Sequence, residues 1–145
     1  MSPVRRKRTA FTLVEVLIVV IVLGILAAIV VPQFSKATSD AKVSVLTTNL
    51  QTVRSQIQLY KMQHNDTFPT YASFANQMTQ YTDGSGTAQA TKDAMHNLGP
   101  YLLAIPENPF TGTNALSNDD SANTAWYYNQ ATGEFRANGD AYETY

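Results

Sequence analysis

A single carboxylate, that of Glu15, lies inside the longest apolar segment of the chain. This segment, residues 11–31, supplies 21 residues, and about 20 apolar residues suffice to cross the hydrocarbon core of a bilayer. An ionisable side chain is costly in hydrocarbon, so such a residue indicates a functional site with a specific partner. Glu15 is therefore the first residue to which a chemical role is assigned.

A block of four basic residues, 5–8, comes just before the apolar segment. By the positive-inside rule this block stays in the cytoplasm and the rest of the chain is exported. Beyond residue 10 the chain has six basic and eleven acidic residues, a formal charge of −5. The exported part has no basic patch with interleaved aromatic residues, which argues against nucleic-acid binding.

The junction between the basic block and the apolar segment resembles the class III signal of type IV prepilins and type II secretion pseudopilins. It reads Arg8-Thr9-Ala10, followed by Phe-Thr-Leu-Val-Glu at positions 11–15. The resemblance implies that residues 1–10 are a cytoplasmic leader, cleaved between Ala10 and Phe11 by a prepilin peptidase that also N-methylates Phe11. The family usually has Gly where Ala10 stands, and Ala is the smallest alternative.

The same resemblance implies a partner for the Glu15 carboxylate, namely the α-amino group of Phe11 on a neighbouring subunit in a stacked filament. Opposite charges attract strongly in low dielectric, and each ion then relieves the burial cost of the other. The alternative is that Glu15 reaches the lipid headgroups from near the membrane edge, as expected for an unassembled subunit.

Two commoner kinds of N-terminal segment share some of these features. A secretory signal has an apolar core of about 7–15 residues that ends in a small-x-small cleavage site. Cleavage here would follow Ala27 or Ala28, but further apolar residues come after both. A plain signal anchor explains the length and the basic flank, but it has no role for Glu15.

Helical periodicity continues beyond the apolar segment. Apolar residues spaced by four and three form one helix face, and they are Leu46, Leu50, Val53, Ile57 and Tyr60. A related stripe extends this face backward through Ala37, Ala41 and Val45. The spacing predicts that residues 32–64 form the amphipathic half of a helix and need a covering surface.

The two halves are predicted to be one long helix over residues 11–63, because neither Gly nor Pro occurs between positions 33 and 63. A kink is expected near Pro32, since proline removes a backbone donor and clashes with the preceding turn. The alternative is two separate helices that are broken at Pro32.

Residues 65–145 are predicted to form a periplasmic globular part. Thr70 is expected to cap a short helix with an apolar face formed by Tyr71, Phe74, Met78 and Tyr81. A helical turn is predicted over residues 92–98. Strand-like runs at 125–129 and 134–137 are joined by a short turn in which Gly133 suits a left-handed position, which predicts a C-terminal hairpin.

These elements predict an α+β fold, in which the long helix packs against short helices and a small antiparallel sheet. Residues 98–112 and 126–138 also look like the C-terminal half of major type II secretion pseudopilins. The chain has no cysteine. Many type IV pilins close their C-terminal region with a disulfide, whereas major pseudopilins commonly do without one, so this composition favours a pseudopilin.

Patterns that indicate catalysis are missing from the sequence. His64 and His96 lie far apart, with no ligands at metal-binding spacing, and both are predicted to be surface residues. There is no Gly-x-Ser-x-Gly motif, and the glycines at positions 84 and 86 only indicate a turn. No catalytic residue is assigned, and the chain is predicted not to be an enzyme.

Major pseudopilins of type II secretion are known for a calcium site in a C-terminal loop. In this chain Asp119 and Asp120, with Asn118 and Asn123 nearby, could supply oxygen ligands. Their spacing matches no EF-hand loop, and a solvated polar loop is the commoner outcome. No metal ligand or cofactor is therefore assigned, and calcium is an open alternative.

The resemblance implies a structural subunit of a type II secretion pseudopilus that assembles by helix packing after leader cleavage. Its implied partners are other copies of the chain, minor pseudopilins, the prepilin peptidase and an inner-membrane assembly platform. The N-terminus is expected in the cytoplasm and the C-terminal domain in the periplasm, with one pass through the inner membrane. Two alternatives are a type IV pilin or competence pseudopilin for adhesion, motility or DNA uptake, and a membrane-anchored periplasmic binding module that does not polymerise.

Overall fold

A computed structural model describes residues 11–120 and 124–138 of the chain. The predicted leader, with Ala10, lies outside the described residues, as do positions 121–123 and the tail from residue 139. The helices are α1 (Leu13–Gln63), a 3-10 turn (Tyr71–Ser73) and α2 (Phe74–Thr79). The strands are β1 (Tyr81–Thr82), β2 (Ala88–Gln89), β3 (Leu116–Ser117), β4 (Trp126–Asn129) and β5 (Glu134–Ala137). The predicted α+β class is confirmed.

Helix α1 is a single helix that contains Pro32, so the alternative of two separate helices is wrong. It ends where the sequence predicts, because Asn65 and Asp66 adopt left-handed backbone conformations with φ of 51° and 64°. The Asp66 amide donates a hydrogen bond to the Lys61 carbonyl at 3.0 Å. This bond satisfies a carbonyl group that the last turn of a helix would otherwise leave without a partner.

The chain divides into two compact units, Met1–Asp40 and Ala41–Tyr145. In the first unit every described residue is exposed. Its part of α1 includes the apolar segment, and α1 is the one described helix long and apolar enough to cross a membrane. An apolar helix surface without a protein cover is typical of a segment that lies in lipid or against other helices.

The second unit has its own hydrophobic core. The predicted helix stripe is confirmed, because the five residues from Leu46 to Tyr60 that form it are all buried. Its extension through Ala37, Ala41 and Val45 is wrong, since all three residues are exposed. The stripe packs against α2 and the sheet, whose largest buried side chains are Phe74, Met78, Trp126, Tyr128 and Phe135.

The predicted C-terminal hairpin is confirmed. Strands β4 and β5 pair antiparallel, with Tyr128 opposite Phe135, and Gly133 in the connecting turn has φ of 73°. Strand β3 adds to β4 in parallel, which gives a three-stranded mixed sheet, and β1 and β2 form a separate antiparallel pair. The sequence did not predict β1, β2 or β3, and Tyr81 belongs to β1 and not to a helix face.

Two local predictions are wrong for related reasons. Thr70 makes no side-chain cap, because its amide and hydroxyl group both donate to the Gln77 side chain, at 2.8 and 3.3 Å. Residues 92–98 form no helix, because the His96 carbonyl accepts the Asp93 amide and the backbone of Leu98 pairs with that of Thr82. In both cases other hydrogen bonds replace those that the predicted helix requires.

His64 is buried, with 3% of its surface exposed, so the prediction of a surface residue is wrong. It lies four residues after Tyr60 and therefore continues the buried stripe. Its Nδ1 lies 2.8 Å from the Tyr60 carbonyl, which can only accept, and its Nε2 lies 3.0 Å from the Thr82 hydroxyl group. With both nitrogens bonded, this histidine has a structural role.

Candidate assembly site at the start of helix α1

Glu15 lies in the first turn of α1, where its carboxylate meets Thr12. The Thr12 amide and hydroxyl group both donate to the same carboxylate oxygen, each at 2.8 Å. In return, the Glu15 amide donates to the Thr12 hydroxyl oxygen at 3.2 Å. Thr12 is thus the N-cap of the helix and Glu15 its third residue, which is the reciprocal arrangement called a capping box.

The capping box gives the carboxylate a role within one chain. The first amides of a helix have no partners within the helix, and side-chain oxygens satisfy them. A negative charge also interacts favourably with the positive end of the helix dipole. A capping role for Thr12 was not predicted, although Thr-x-x-Glu before an apolar run is the sequence signature of this motif.

Phe11 lies just before the cap, and its side chain is 81% exposed. Both hydrogen bonds that the Glu15 carboxylate accepts within the described residues come from Thr12. The predicted pairing of Glu15 with Phe11 would join two subunits, and a single chain does not test it. Ala10 lies outside the described residues, so cleavage after it also stays a prediction.

A cation of the protein itself, from strand β5, lies beside the loop considered for calcium. The Arg136 guanidinium binds the Asp120 carboxylate and lies over the ring of Tyr127, 4.2 Å from its centroid. Among the described residues no three acidic or histidine side chains form a group that could hold a metal. Asn123 lies outside these residues. Calcium at Asp119 and Asp120 therefore stays an untested alternative.

A family profile described as "Prokaryotic N-terminal methylation motif" matches residues 5–31. Over 106 residues the chain is 30% identical to the type II secretion system core protein G of Pseudomonas aeruginosa, and the match covers 73% of this chain and 70% of the relative. The chain belongs to the family of type II secretion system core protein G. The core protein G of Vibrio cholerae is 31% identical over 110 residues, covering 72% of this chain and 67% of the relative.

The core protein G family also includes a relative from Aeromonas hydrophila that is 24% identical over 106 residues, 73% of this chain and 70% of the relative. No solved structure matches the chain. The profile match takes in the basic block, Phe11, Thr12 and Glu15. The predicted resemblance to pseudopilins is therefore confirmed, and the capping box lies inside the matched motif.

Proposed function

We propose that this chain is a structural subunit of a type II secretion pseudopilus, anchored in the inner membrane before assembly and exposed to the periplasm. The mature subunit begins at Phe11 after removal of the leader. Residues 11–31 hold it in the membrane with its N-terminus toward the cytoplasm. The chain acts through packing, and its role is not catalytic.

The observation that carries this proposal is a carboxylate on an apolar helix segment whose described residues are all exposed. Every described residue of the first unit is exposed, so the apolar surface needs lipid or other copies of the same helix. In lipid, Glu15 is held by Thr12. In a filament, the Phe11 ammonium of a neighbour supplies the opposite charge that a buried carboxylate needs.

The partners follow from this assembly route. The prepilin peptidase cleaves after Ala10 and methylates Phe11. Further copies of the chain form the homopolymer. Minor pseudopilins and an inner-membrane assembly platform start and drive its assembly. The large membrane-facing apolar surface of the subunit makes it dependent on such machinery to leave the bilayer.

Replacement of Glu15 tests the function. Glu15→Val removes the counter-charge of the neighbouring Phe11 ammonium, and a buried unpaired charge costs roughly 3–5 kcal/mol. A cost of this size lowers the assembly equilibrium constant by two or more powers of ten. Insertion into the bilayer becomes easier, because an apolar residue replaces an ionisable one. We expect Glu15→Val protein to be cleaved and to accumulate in the inner membrane without forming filaments, and Glu15→Asp to be intermediate.

The measurement is the yield of sheared filaments and of secreted cargo at matched membrane levels, together with the intact mass of the processed subunit. The mass of the natural protein should correspond to a chain that begins at N-methylated Phe11. Normal filaments from Glu15→Val would contradict the role of the carboxylate. A natural chain that keeps residues 1–10 and never polymerises would favour the anchored binding module.

A further inference from the structure

The second unit has a pocket of about 320 Å³ beside the end of strand β3. Three parts of the chain line it, namely the 3-10 turn, the residue after β3, and strand β4 with its turn. The side chains that matter here are those of Tyr71, Asn118, Tyr127, Asn129 and Gln130. None of the described residues that line the pocket is charged. A pocket of this size with aromatic walls and a few polar groups is typical of a site for a small ligand.

The two aromatic walls are held in place. The Tyr71 amide donates to the Gln130 side-chain oxygen at 2.8 Å, and the Tyr71 hydroxyl group donates to the Leu116 carbonyl at 3.2 Å. Tyr127 lies opposite Arg136 in the β4–β5 pair, and the guanidinium lies over its ring. Because Arg136 does not line the pocket, Tyr127 meets the pocket with a part of its ring that Arg136 leaves uncovered. A fixed aromatic surface loses little conformational entropy when a ligand binds.

Two side-chain amides of the pocket also have a fixed orientation. Asn129 Oδ1 accepts the Ala131 amide at 2.9 Å, and Gln130 Oε1 accepts the Tyr71 amide. An amide oxygen that accepts a backbone N–H leaves the NH₂ group at the other position as a donor. Neither NH₂ group donates to another described residue. The pocket therefore offers two oriented donors and no charge, which suits a neutral ligand with acceptor oxygens.

We propose that this pocket binds a pyranose ring of a neutral glycan. One face of such a ring carries C–H groups that pack on an aromatic side chain, and its rim carries oxygens that accept from amide NH₂ groups. A peptide would bind by adding a strand to a free sheet edge. Strand β3 covers Trp126 and Tyr127 of β4, so only Tyr128 and Asn129 are uncovered on that side, and two residues offer too few main-chain hydrogen bonds. The site lies within the second unit and needs no filament, so it goes beyond the proposed function.

Saturation-transfer difference NMR on the full-length chain tests the site. The chain is kept in micelles of a zwitterionic detergent, because maltoside and glucoside detergents would themselves offer sugars. The probes are cellobiose and N,N′-diacetylchitobiose, two neutral disaccharides that differ in the acetamido groups. N-acetyl-trialanine amide is the peptide probe, and empty micelles supply the background.

We expect saturation transfer to a disaccharide with a Kd on the order of 1 mM, as for a small ligand with few contacts. The peptide should give no signal above that of empty micelles. Binding of either disaccharide supports the site, and the comparison of the two shows whether the acetamido group contributes. No transfer to either disaccharide, or stronger transfer to the peptide, would overturn the proposal.

Two pairs of variants place the binding in the pocket. Tyr127→Leu removes the aromatic surface and should raise the Kd by about tenfold or more, whereas Tyr127→Phe keeps the ring and should stay within about twofold. Asn129→Ser removes the NH₂ donor but keeps an oxygen for the Ala131 amide, and it should raise the Kd by about tenfold. Asn97→Ser makes the same change at an exposed position outside the pocket and should leave the Kd unchanged.

Thermal unfolding of each variant in the same micelles separates loss of binding from loss of the fold. If Tyr127→Leu melts early, the Asn129→Ser and Asn97→Ser pair decides the question. A natural Kd in Asn129→Ser, or an equal loss of binding in Asn97→Ser, would overturn the assignment to this pocket. None of these outcomes bears on the pseudopilus function, because filament yield is not the measured quantity.

Discussion

The Thr12 amide and hydroxyl group both donate to one carboxylate oxygen of Glu15, each at 2.8 Å. A carboxylate on a membrane helix is thereby paired with the helix start before any neighbour arrives. Under the proposed function, the Phe11 ammonium of a neighbouring subunit would then meet a side chain that is already oriented. The reciprocal bond from the Glu15 amide to the Thr12 hydroxyl group makes the two residues one structural unit.

The first prediction separates capping from charge pairing. Thr12→Val removes both hydrogen bonds of the hydroxyl group but keeps the Glu15 charge, and loss of a cap costs about 1 kcal/mol. We expect filament yield at matched membrane levels to fall by about tenfold or less, clearly less than for Glu15→Val. Thr12→Ser keeps the hydroxyl group and serves as the control. A Thr12→Val defect as complete as that of Glu15→Val would show that the cap itself is what assembly requires.

The second prediction concerns the soluble part of the chain. A fragment that lacks residues 1–33 keeps the buried stripe with its covering sheet, and we expect a folded, soluble monomer. In this fragment Leu50→Asp should lower the free energy of unfolding by several kcal/mol, because it buries an unpaired charge. Thr48→Asp, at an exposed position of the same helix, is the control. Equal melting temperatures for the two variants would contradict the assigned packing face.

The parts of the fold that could be predicted are those with a strong local signal. The stripe from Leu46 to Tyr60 has the helical period over four turns, and the hairpin has two strand-like runs joined by a turn with Gly133. The two-residue strands β1, β2 and β3 could not be predicted, because their pairing depends on which backbone segments the tertiary fold brings together. The burial of His64 could have been predicted from its spacing of four residues from Tyr60, but the polarity of the histidine side chain favoured a surface position.

The third prediction concerns Gly133, whose turn conformation and surroundings both exclude a side chain. Its φ is 73°, and a Cβ atom there would overlap the ring of Phe68. Gly112 has a similar φ of 68° but open space around it, and Gly84 has open space and no positive φ. Replacement by Ala should therefore destabilise the soluble fragment most at Gly133, by about 1 kcal/mol at Gly112 and by little at Gly84.

Thermal unfolding of the three glycine variants orders these effects. The difference between Gly112→Ala and Gly84→Ala isolates the backbone cost, and the difference between Gly133→Ala and Gly112→Ala isolates the contact with Phe68. A Gly133→Ala fragment that melts at or above the temperature of the Gly112→Ala fragment would contradict the described packing of Phe68 against the hairpin turn.

At the candidate site the sequence indicated Glu15 through its position in hydrocarbon, but not its hydrogen bonds. The Thr-x-x-Glu spacing before the apolar run was a signal for these bonds, but Thr12 acts as the cap only because the helix begins at Leu13. The prediction for residues 92–98 failed for a different reason. Asp93 can cap the start of a helix or close a turn, and the backbone pairing of Leu98 with Thr82, which excludes the helix, depends on the tertiary fold.

The fourth prediction concerns the pH dependence of that turn. The Asp93 carboxylate accepts the His96 amide at 2.6 Å and contacts His96 Nδ1 at 3.0 Å. Chiefly through the bond from this amide, its pKa is lowered from 3.8 to about 2. A carboxyl group whose pKa is lowered by folding stabilises the fold above its ordinary pKa, and this contribution is lost as the pH falls toward the folded value. The loss should occur between about pH 4 and pH 2.

Asp93→Asn isolates this contribution in the soluble fragment. The variant should melt below the natural fragment at pH 5, and the gap should narrow as the pH falls toward 2. Asn97→Ala changes a nearby exposed residue without a titratable group, so its effect on melting should not vary with pH in this range. An NMR titration of the Asp93 carboxyl carbon measures the pKa directly. A midpoint near 3.8 would show that the hydrogen bonds to His96 do not hold the carboxylate in solution, and the turn would then owe its shape to the Thr82–Leu98 backbone bridge.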